Sequence, residues 1–371
     1  MLPARFAVQI GGPHDAGGRG RSVGSHVVEQ LQQLVDAADT AALLRAVDGL
    51  SAGREWDRLA DLARRCRDAV ELGKQLWPVA THIDYRLAWE GPASHAAAVL
   101  RPGAGRFALG PLTEVAASTH DWNSLAPHLR DPITAAAVAG ERVLRGEDLR
   151  RAQPATMLVT AELPLVLAGW EPAYPLPTYR DRSALFPRPN VTSPGRGRSA
   201  IVPAGGRSSD DEAVRALRDV VEAWVSQSSG RVDAAVVDGP AEAAVGTLEP
   251  GGRLYEVSAD EVLSSLQWAG ASGGAYGRRR GGAAGRFTAW WVTAAVAGLE
   301  WPTDPDDDRF VDHLRAAIDE LRWYVWTAPG DDSGWVLRVA IADPIDGLAW
   351  AVDASDQRDE EAGGADDLPP P

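Results

Sequence analysis

The chain has 371 residues, of which 45% are hydrophobic and 24% are charged, and its formal net charge is −15. This length fits two domains of ordinary size, and the composition is typical of a folded rather than a disordered protein. The acidic balance argues against general binding to nucleic acid, which needs a net basic face, but leaves a local site open. Cys66 is the single cysteine, which excludes an intramolecular disulfide and a thiolate metal cluster. The sequence has no apolar run of about 18 residues, and its N-terminus lacks a signal-peptide core, so we expect a cytoplasmic protein with no membrane partner.

The N-terminal part of the chain has the apolar periodicity of helices. Residues 1–25 are rich in glycine and polar side chains, which predicts a flexible N-terminus. Helical periodicity then extends over residues 26–170, broken by glycine and proline. Its clearest amphipathic helix has an apolar face formed by Trp56, Leu59, Ala63, Cys66 and Val70. We therefore predict an irregular helical bundle or solenoid-like domain over 26–170.

Residues 171–209 interrupt the helical pattern with seven prolines, which predicts an extended linker. Between positions 178 and 207 this segment carries six arginines against one acid, Asp181. The linker is therefore rich in both proline and arginine, and it forms a basic segment within an acidic chain.

Residues 210–353 predict a second helical domain that is rich in tryptophan. Eight of the 14 tryptophans lie between positions 268 and 350, and packing in a core explains most of them. A capping box, Ser258 to Glu261, indicates one helix start, and helical periodicity covers residues 307–326. Residues 335–353 fit either a short β-hairpin or two helical pieces broken at Pro344.

These patterns together predict a mainly α fold. It would consist of the N-terminal irregular bundle or solenoid-like domain and a Trp-rich helical C-terminal domain with a possible short β-hairpin. The last residues, 354–371, are acidic and rich in glycine and proline, which predicts a disordered tail.

A second basic segment, GGAYGRRRGGAAGRF at 273–287, sets four arginines among small residues: Arg278, Arg279, Arg280 and Arg286. A glycine-rich backbone, the start of a helix and several guanidinium groups together suit a phosphate or a carboxylate, so we predict that these arginines bind an anionic ligand. The segment lacks the Lys-Ser/Thr pair of a P-loop and the preceding strand of a dinucleotide fingerprint. The alternative is that the arginines pair with the protein's own carboxylates, such as residues 304–308 or the acidic tail.

Four of the seven histidines are gathered between positions 82 and 128: His82, His95, His120 and His128. Metal and acid–base sites use histidine together with carboxylates, and an enzyme here would use His82, Glu114 and His120. The spacing matches none of the standard metal or catalytic signatures. We therefore predict no catalytic residue, no metal site and no cofactor.

Two passages, GRFALGPLTEVAASTHDW at 105–122 and DPIDGLAWAVDASD at 343–356, resemble sequences from a family of actinobacterial proteins of unknown function. The resemblance implies a chromosomally encoded, cytoplasmic protein. Its motifs match no characterised site, so it implies no catalytic residue.

Three functions remain open at this point. The leading hypothesis is a non-enzymatic interaction or regulatory protein that presents helical surfaces to a protein partner. The first alternative is a module that binds a phosphate-bearing ligand or nucleic acid through Arg278 to Arg286, aided by the linker arginines and an exposed tryptophan. The second alternative is a hydrolase-like enzyme that uses the histidine and glutamate cluster. The ligand-binding hypothesis requires the two basic segments to share one open surface.

Overall fold

The structure is a computed structural model that describes residues 18–101, 103–158, 160–191, 197–202, 211–302, 308–330 and 333–358. Residues 1–17 of the predicted flexible N-terminus, residues 359–371 of the predicted tail and the aspartates at 304–307 lie outside these ranges. The chain divides into two compact units, Met1–Ile83 and Asp84–Pro371. The domain boundaries that we derived from the sequence stay predictions.

The first unit is helical where the structure describes it. It contains α1 (Gly18–Ala37), α2 (Thr40–Ala52), α3 (Trp56–Glu71) and the beginning of α4 (Trp77–Glu90). Its core includes Leu43, Val47, Leu59, Leu62 and Cys66, all of them buried. Burial raises the pKa of the Cys66 thiol to about 11, so the sulfur is an uncharged core atom.

The second unit begins with short helices and an antiparallel two-stranded ribbon. The helices are α5 (Ala93–Val99), α6 (Leu112–Thr119), α7 (Trp122–Leu125) and α8 (Pro132–Leu144). The ribbon pairs β1 (Thr178–Tyr179) with β2 (Ala184–Leu185). Asp131 caps α8 by accepting the Thr134 N–H at 2.8 Å.

A six-stranded sheet follows, in the order β3-β5-β6-β7-β8-β4, and every pair of neighbouring strands is antiparallel. Its strands are β3 (Arg198–Ser199), β4 (Arg231–Asp238), β5 (Arg253–Val257), β6 (Arg322–Thr327), β7 (Trp335–Asp343) and β8 (Leu348–Asp356). The remaining helices are α9 (Glu212–Val220), α10 (Glu222–Ser226), α11 (Ala241–Leu248), α12 (Ala259–Ala271), α13 (Gly282–Val296) and α14 (Asp308–Glu320). No described helix is both long and apolar enough to span a membrane.

The prediction of a mainly α fold is therefore wrong. Within the described residues the chain combines 14 α-helices with eight strands, which makes it a mixed α and β protein. The hairpin alternative for residues 335–353 corresponds to β7 and β8, which are nine residues long each and reach Asp356. Four further strands of the same sheet had no counterpart in our reading of the sequence.

The helix predicted over residues 307–326 ends at Glu320, and its last five residues belong to β6, which continues to Thr327. The physical reason is the composition of the segment RWYVWT, in which aromatic and β-branched side chains favour a strand. Trp323 lies in the core that α9, α12, α13 and α14 form on one face of the sheet, whereas Tyr324 and Trp326 lie in the core beneath α11 on the other. This two-sided burial hides the alternation that marks a half-exposed strand.

The helices α12 and α13 pack closely against each other, and their contact positions the arginine segment. A Cβ atom at Gly285 would lie 2.1 Å from the Gln267 backbone oxygen, so only glycine permits this approach. The predicted capping box at the start of α12 is confirmed, since Ser258 and Glu261 hydrogen-bond reciprocally. Residues 272–281 connect the two helices, and this connection carries Arg278, Arg279 and Arg280.

Candidate functional site

The arginine loop, residues 272–281, is held against the end of the sheet. The buried carboxylate of Asp356, at the end of β8, accepts the Ala275 N–H at 2.6 Å. At the other end of the loop, the Arg280 N–H donates to the Ala271 oxygen at 2.7 Å. The loop is thus fixed at both ends, and its side chains have defined positions.

Arg279 points inward and forms a bidentate ion pair with Glu114 of α6. The distances are 2.8 Å from Nε to Oε2 and 2.8 Å from Nη2 to Oε1. The Tyr179 hydroxyl donates to Glu114 Oε2 at 2.6 Å, and the Gly282 N–H donates to Oε1 at 3.0 Å. Burial alone would raise the pKa of Glu114, but the charge and hydrogen bonds of Arg279 outweigh it and lower the pKa. Glu114 is therefore a buried, ionised carboxylate.

A second carboxylate, Glu141 of α8, lies at the same helix start. Its Oε1 accepts the Ala283 N–H at 2.8 Å, and its Oε2 pairs with Arg145 Nη1 at 3.1 Å. Burial, followed by the negative charge of Glu114, raises the pKa of Glu141 to about 7. The start of α13 is therefore occupied by two of the protein's own carboxyl groups.

Arg286 is also fully engaged inside the protein. Its guanidinium forms a bidentate pair with Glu171, at 2.8 Å from Nε and 2.7 Å from Nη2. It also donates to the backbone oxygens of Pro164 and Val166, each at 2.9 Å. The side chain is buried, so this arginine fixes the 164–171 segment against α13.

The four sequence-predicted arginines thus divide into two pairs. Arg279 and Arg286 form buried ion pairs, and Arg278 and Arg280 are exposed. Arg279 and Arg286 therefore pair with the protein's own carboxylates. Their partners are Glu114 and Glu171, which differ from the residues that we named for this alternative. Binding of an external ligand by the four arginines stays a prediction.

The histidine and glutamate cluster gives little support to catalysis. Glu114 is fully buried, and both of its oxygens accept hydrogen bonds from the groups named above. Burial lowers the pKa of His120, which favours the neutral ring. Across the described ranges, no three His, Cys, Asp or Glu side chains come together as ligands of a metal ion would.

A cleft of about 430 Å³ opens beside the arginine loop. Its walls come from five parts of the second unit, and its largest lining side chains are Leu109, Phe186, Arg188, Trp268, Arg279, Trp335 and Arg358. Among the described residues, no aspartate or glutamate lines it. The cleft is therefore basic and aromatic, although the whole chain is acidic.

Each of the three cleft arginines lies over an aromatic ring. The guanidinium carbon is 5.2 Å from the ring centre of Trp268 for Arg188, 4.6 Å from that of Phe186 for Arg279, and 5.8 Å from that of Trp335 for Arg358. Arg188 also donates to the Gly334 oxygen, and Arg358 donates to the Ala275 oxygen at 3.3 Å. These contacts hold the guanidinium groups in place without neutralising them.

The two basic segments of the sequence meet in this cleft. Arg188 belongs to the predicted linker and Arg279 to the loop, and the ring of Phe186 contacts the Arg279 guanidinium. Sequence reasoning noted the linker arginines as a group but did not single out Arg188, Trp268, Trp335 or Arg358. The excess of arginine in the linker was the available signal. Partial burial lowers the pKa of Arg188, as expected for a cation that lacks a counter-ion.

Comparison with known proteins gives a family but no characterised relative. No curated protein and no solved structure matches the chain. Residues 41–344 match the model described as Family of unknown function (DUF6183), a range that includes the passage at 105–122. The expected membership of a family of unknown function is thereby confirmed, whereas its actinobacterial source stays a prediction. Because the match spans most of the chain, the protein belongs to the Family of unknown function (DUF6183).

Proposed function

We propose that the protein binds a small phosphate-bearing ligand in the arginine–aromatic cleft, which we define by Phe186, Arg188, Trp268, Arg279, Trp335 and Arg358. The observation that supports this proposal is the meeting of guanidinium groups from three separate segments around a cleft that no described aspartate or glutamate lines. Arginine is the residue best suited to phosphate, since its planar fork donates two parallel hydrogen bonds.

The charges of the cleft favour a ligand with about two negative charges. Glu114 neutralises Arg279, while Arg188 and Arg358 have no ion-pair partner in the described part of the chain. A phosphate monoester carries roughly −1.5 to −2 charges at neutral pH, which matches these two cations. The remaining surface of an acidic protein repels anions, so binding is expected to be confined to this cleft.

The size and rigidity of the cleft also suit a small molecule. Ligand sites commonly occupy about 300–1,000 Å³ and combine apolar walls with a few fixed polar groups, and the cleft volume of about 430 Å³ lies in this range. The rings of Trp268, Trp335 and Phe186 hold the guanidinium groups before a ligand arrives. This arrangement reduces the conformational entropy lost on binding.

Isothermal titration calorimetry with AMP and UMP, two phosphate monoesters, tests the proposal. We expect binding that weakens by about a hundredfold or more in the double variant Arg188→Gln/Arg358→Gln, since it removes two charge-assisted interactions that each contribute roughly 1.5–3 kcal/mol. The control is Arg130→Gln, an exposed arginine that does not line the cleft, and it should bind like the parent. Absence of binding by the parent, or equal binding by the double variant, contradicts the proposal.

A second candidate function retains the hypothesis of a protein partner. A groove of about 560 Å³ runs between α8, α13 and residues 160–165, and its lining is mostly apolar. The exposed Arg280 lies at this groove, and Ile133 is 71% exposed. We propose that an amphipathic helix with an acidic residue facing Arg280 binds here.

The groove is tested separately from the cleft. The single variants Ile133→Asp and Arg280→Glu should each abolish capture of the partner from lysate, and AMP binding by the cleft should be unchanged. Once the parent protein has captured a partner, the acidic residue of that partner that faces Arg280 can be changed to arginine. The Arg280→Glu variant should then bind this altered partner. Partner capture that is equal in the parent and both groove variants contradicts this candidate.

A further inference from the structure

A basic and aromatic surface continues from the cleft to Phe107. The Phe107 side chain is 56% exposed, and the guanidinium carbons of Arg278 and Arg106 lie 5.2 Å and 6.0 Å from its ring centre. Ala108 and Leu109, which follow Phe107 in the chain, line the cleft, as do Gly277 and Arg279 on either side of Arg278. Phe107, the two arginines over its ring and the cleft therefore form one continuous surface.

The arginines of this surface differ from arginines that lie over rings elsewhere in the second unit. Arg198, Arg286 and Arg338 each lie over an aromatic ring and also form an ion pair with a carboxylate. Arg106, Arg188, Arg278 and Arg358 lie over rings and have no carboxylate partner within the described ranges. Only Arg279 on this surface is paired. Within the described ranges, arginines that lie over rings without a carboxylate partner are thus gathered on one continuous surface.

We infer that this surface binds a segment of single-stranded nucleic acid that enters the cleft and extends over Phe107, an inference that rests on the proposed phosphate-binding function. Rings and guanidinium groups lie next to one another on this surface, and a single strand likewise presents bases next to phosphates. Bases stack on aromatic rings and on the planes of arginine guanidinium groups, and phosphates accept from the guanidinium edges. A mononucleotide would occupy the cleft but would not contact Phe107 or the two arginines over its ring.

The acidic net charge fits a single strand better than a duplex. A duplex presents stacked bases whose faces are not accessible to Phe107 or Trp335, and it carries a dense charge that a chain of net charge −15 repels outside the basic surface. A single strand can follow the local surface and expose its bases to these rings. The chemistry of the surface therefore favours unpaired nucleotides.

Fluorescence anisotropy with labelled oligonucleotides tests the inference. The probes are 12-nucleotide oligo-U and oligo-dT, a 12-base-pair duplex and a labelled phosphopeptide, with unlabelled UMP and dTMP as competitors. We expect either or both single strands to bind at least tenfold more tightly than the mononucleotides and the duplex. A further probe, 12-nucleotide oligo-dU, differs from oligo-U only in the 2′-hydroxyl, so the difference between these two shows whether that group contributes.

Matched variants separate this inference from the proposed function. Phe107→Ala and Arg278→Gln should each weaken oligonucleotide binding by about fivefold or more, because stacking on one ring contributes roughly 1–3 kcal/mol, and they should leave mononucleotide binding unchanged. Both side chains are exposed, so folding should be retained. Mononucleotide binding that depends on Arg188, with no gain from a longer strand, overturns the inference and leaves the proposed function standing. Tighter binding of the phosphopeptide through Phe107 also overturns it, and a parent protein that binds none of the probes contradicts both.

Discussion

Glu114 and Glu141 come from different helices, and their carboxylates accept hydrogen bonds from two consecutive backbone N–H groups at the start of α13. Gly282 donates to Glu114 at 3.0 Å, and Ala283 donates to Glu141 at 2.8 Å. Arg279 pairs with Glu114 and Arg145 pairs with Glu141, so each carboxylate has one positively charged partner. The pKa values nevertheless diverge, since the pKa of Glu114 is lowered and that of Glu141 is raised to about 7. The better-paired carboxylate stays ionised, and its charge favours the protonated form of its neighbour.

Glu141 should make the stability of the protein depend on pH near neutrality. Its pKa is about 7 in the folded protein, against an ordinary value of 4.5 that we take for the unfolded chain. Between pH 4.5 and pH 7 the folded state therefore binds more protons than the unfolded state does. The free energy of unfolding contributed by this group therefore falls as pH rises from 4.5 to 7, by about 3 kcal/mol in total, and is constant above that range. Glu141→Gln should remove this fall.

Chemical denaturation of the parent and of Glu141→Gln between pH 5 and pH 8 measures the effect. Burial lowers the pKa of His120, which acts in the opposite direction in an overlapping range, so the difference between the two proteins is the relevant quantity. The exposed Glu222 on α10 provides a control, and Glu222→Gln should follow the parent. Parallel curves for the parent and Glu141→Gln would show that Glu141 titrates normally.

Arg279 should matter far more for stability than the adjacent Arg278. Arg279→Met leaves the Glu114 carboxylate buried without its counter-ion, and we expect a loss of about 3–5 kcal/mol in the free energy of unfolding. Arg278 is exposed and forms no ion pair within the described residues, so Arg278→Met should change it by less than about 0.5 kcal/mol. Urea denaturation measures both. Adding Glu114→Gln to Arg279→Met should recover much of the loss, and a lack of recovery would mean that the guanidinium contributes through packing rather than charge.

Parts of this arrangement were predictable from the sequence, and parts were not. The capping box at Ser258 and the anion preference of the α13 start are local features, and both follow from residue types close together in the chain. The partners of that helix start are not local, since Glu114 lies 168 residues before Gly282. The meeting of Arg188 with Arg279 likewise depends on how residues 171–191 cross the second unit. No spacing in the sequence carries that information.

The sheet was missed for a related reason. In β4, residues Ala234 to Val237 are all buried, because α9 covers one face and α11 the other. Such a strand lacks the alternation of polar and apolar residues that identifies a half-exposed strand. β6 was assigned to the preceding helix because Leu321, Tyr324 and Val325 continue its apolar spacing. β7 and β8 were accessible as an alternative because the turn at Pro344 to Gly347 separates two apolar segments.

Gly281 should be required by both its backbone conformation and the carboxylate beside it. Its φ is +103°, and a Cβ atom would lie 2.9 Å from Glu141 Oε1. Gly330 also has a positive φ, +121°, but open space around it, so Gly330→Ala reports the backbone cost of a positive φ, about 1–3 kcal/mol, without a close contact. We expect Gly281→Ala to lose at least 1 kcal/mol more than this control, as overpacking typically costs about 1–3 kcal/mol. Thermal denaturation compares the two, and equal losses would mean that Glu141 moves away without cost.

Ligand binding in the cleft should be coupled to proton uptake at Glu141. Burial and the charge of Glu114 raise the pKa of Glu141 to about 7, and the positive charge of Arg279, which also lines the cleft, opposes that rise. An anion bound beside Arg279 offsets that charge, so the pKa of Glu141 should rise on binding and the protein should take up a fraction of a proton near neutral pH.

Calorimetry with 4-nitrophenyl sulfate, whose charge is constant in this range, measures the uptake when it is repeated in two buffers of different ionisation enthalpy. Glu141→Gln should bind the same anion with no uptake, because the amide retains an acceptor for the Ala283 N–H but cannot be protonated. Equal proton uptake by the parent and Glu141→Gln would assign the proton to another group and break the proposed link between the cleft and the buried carboxylate pair.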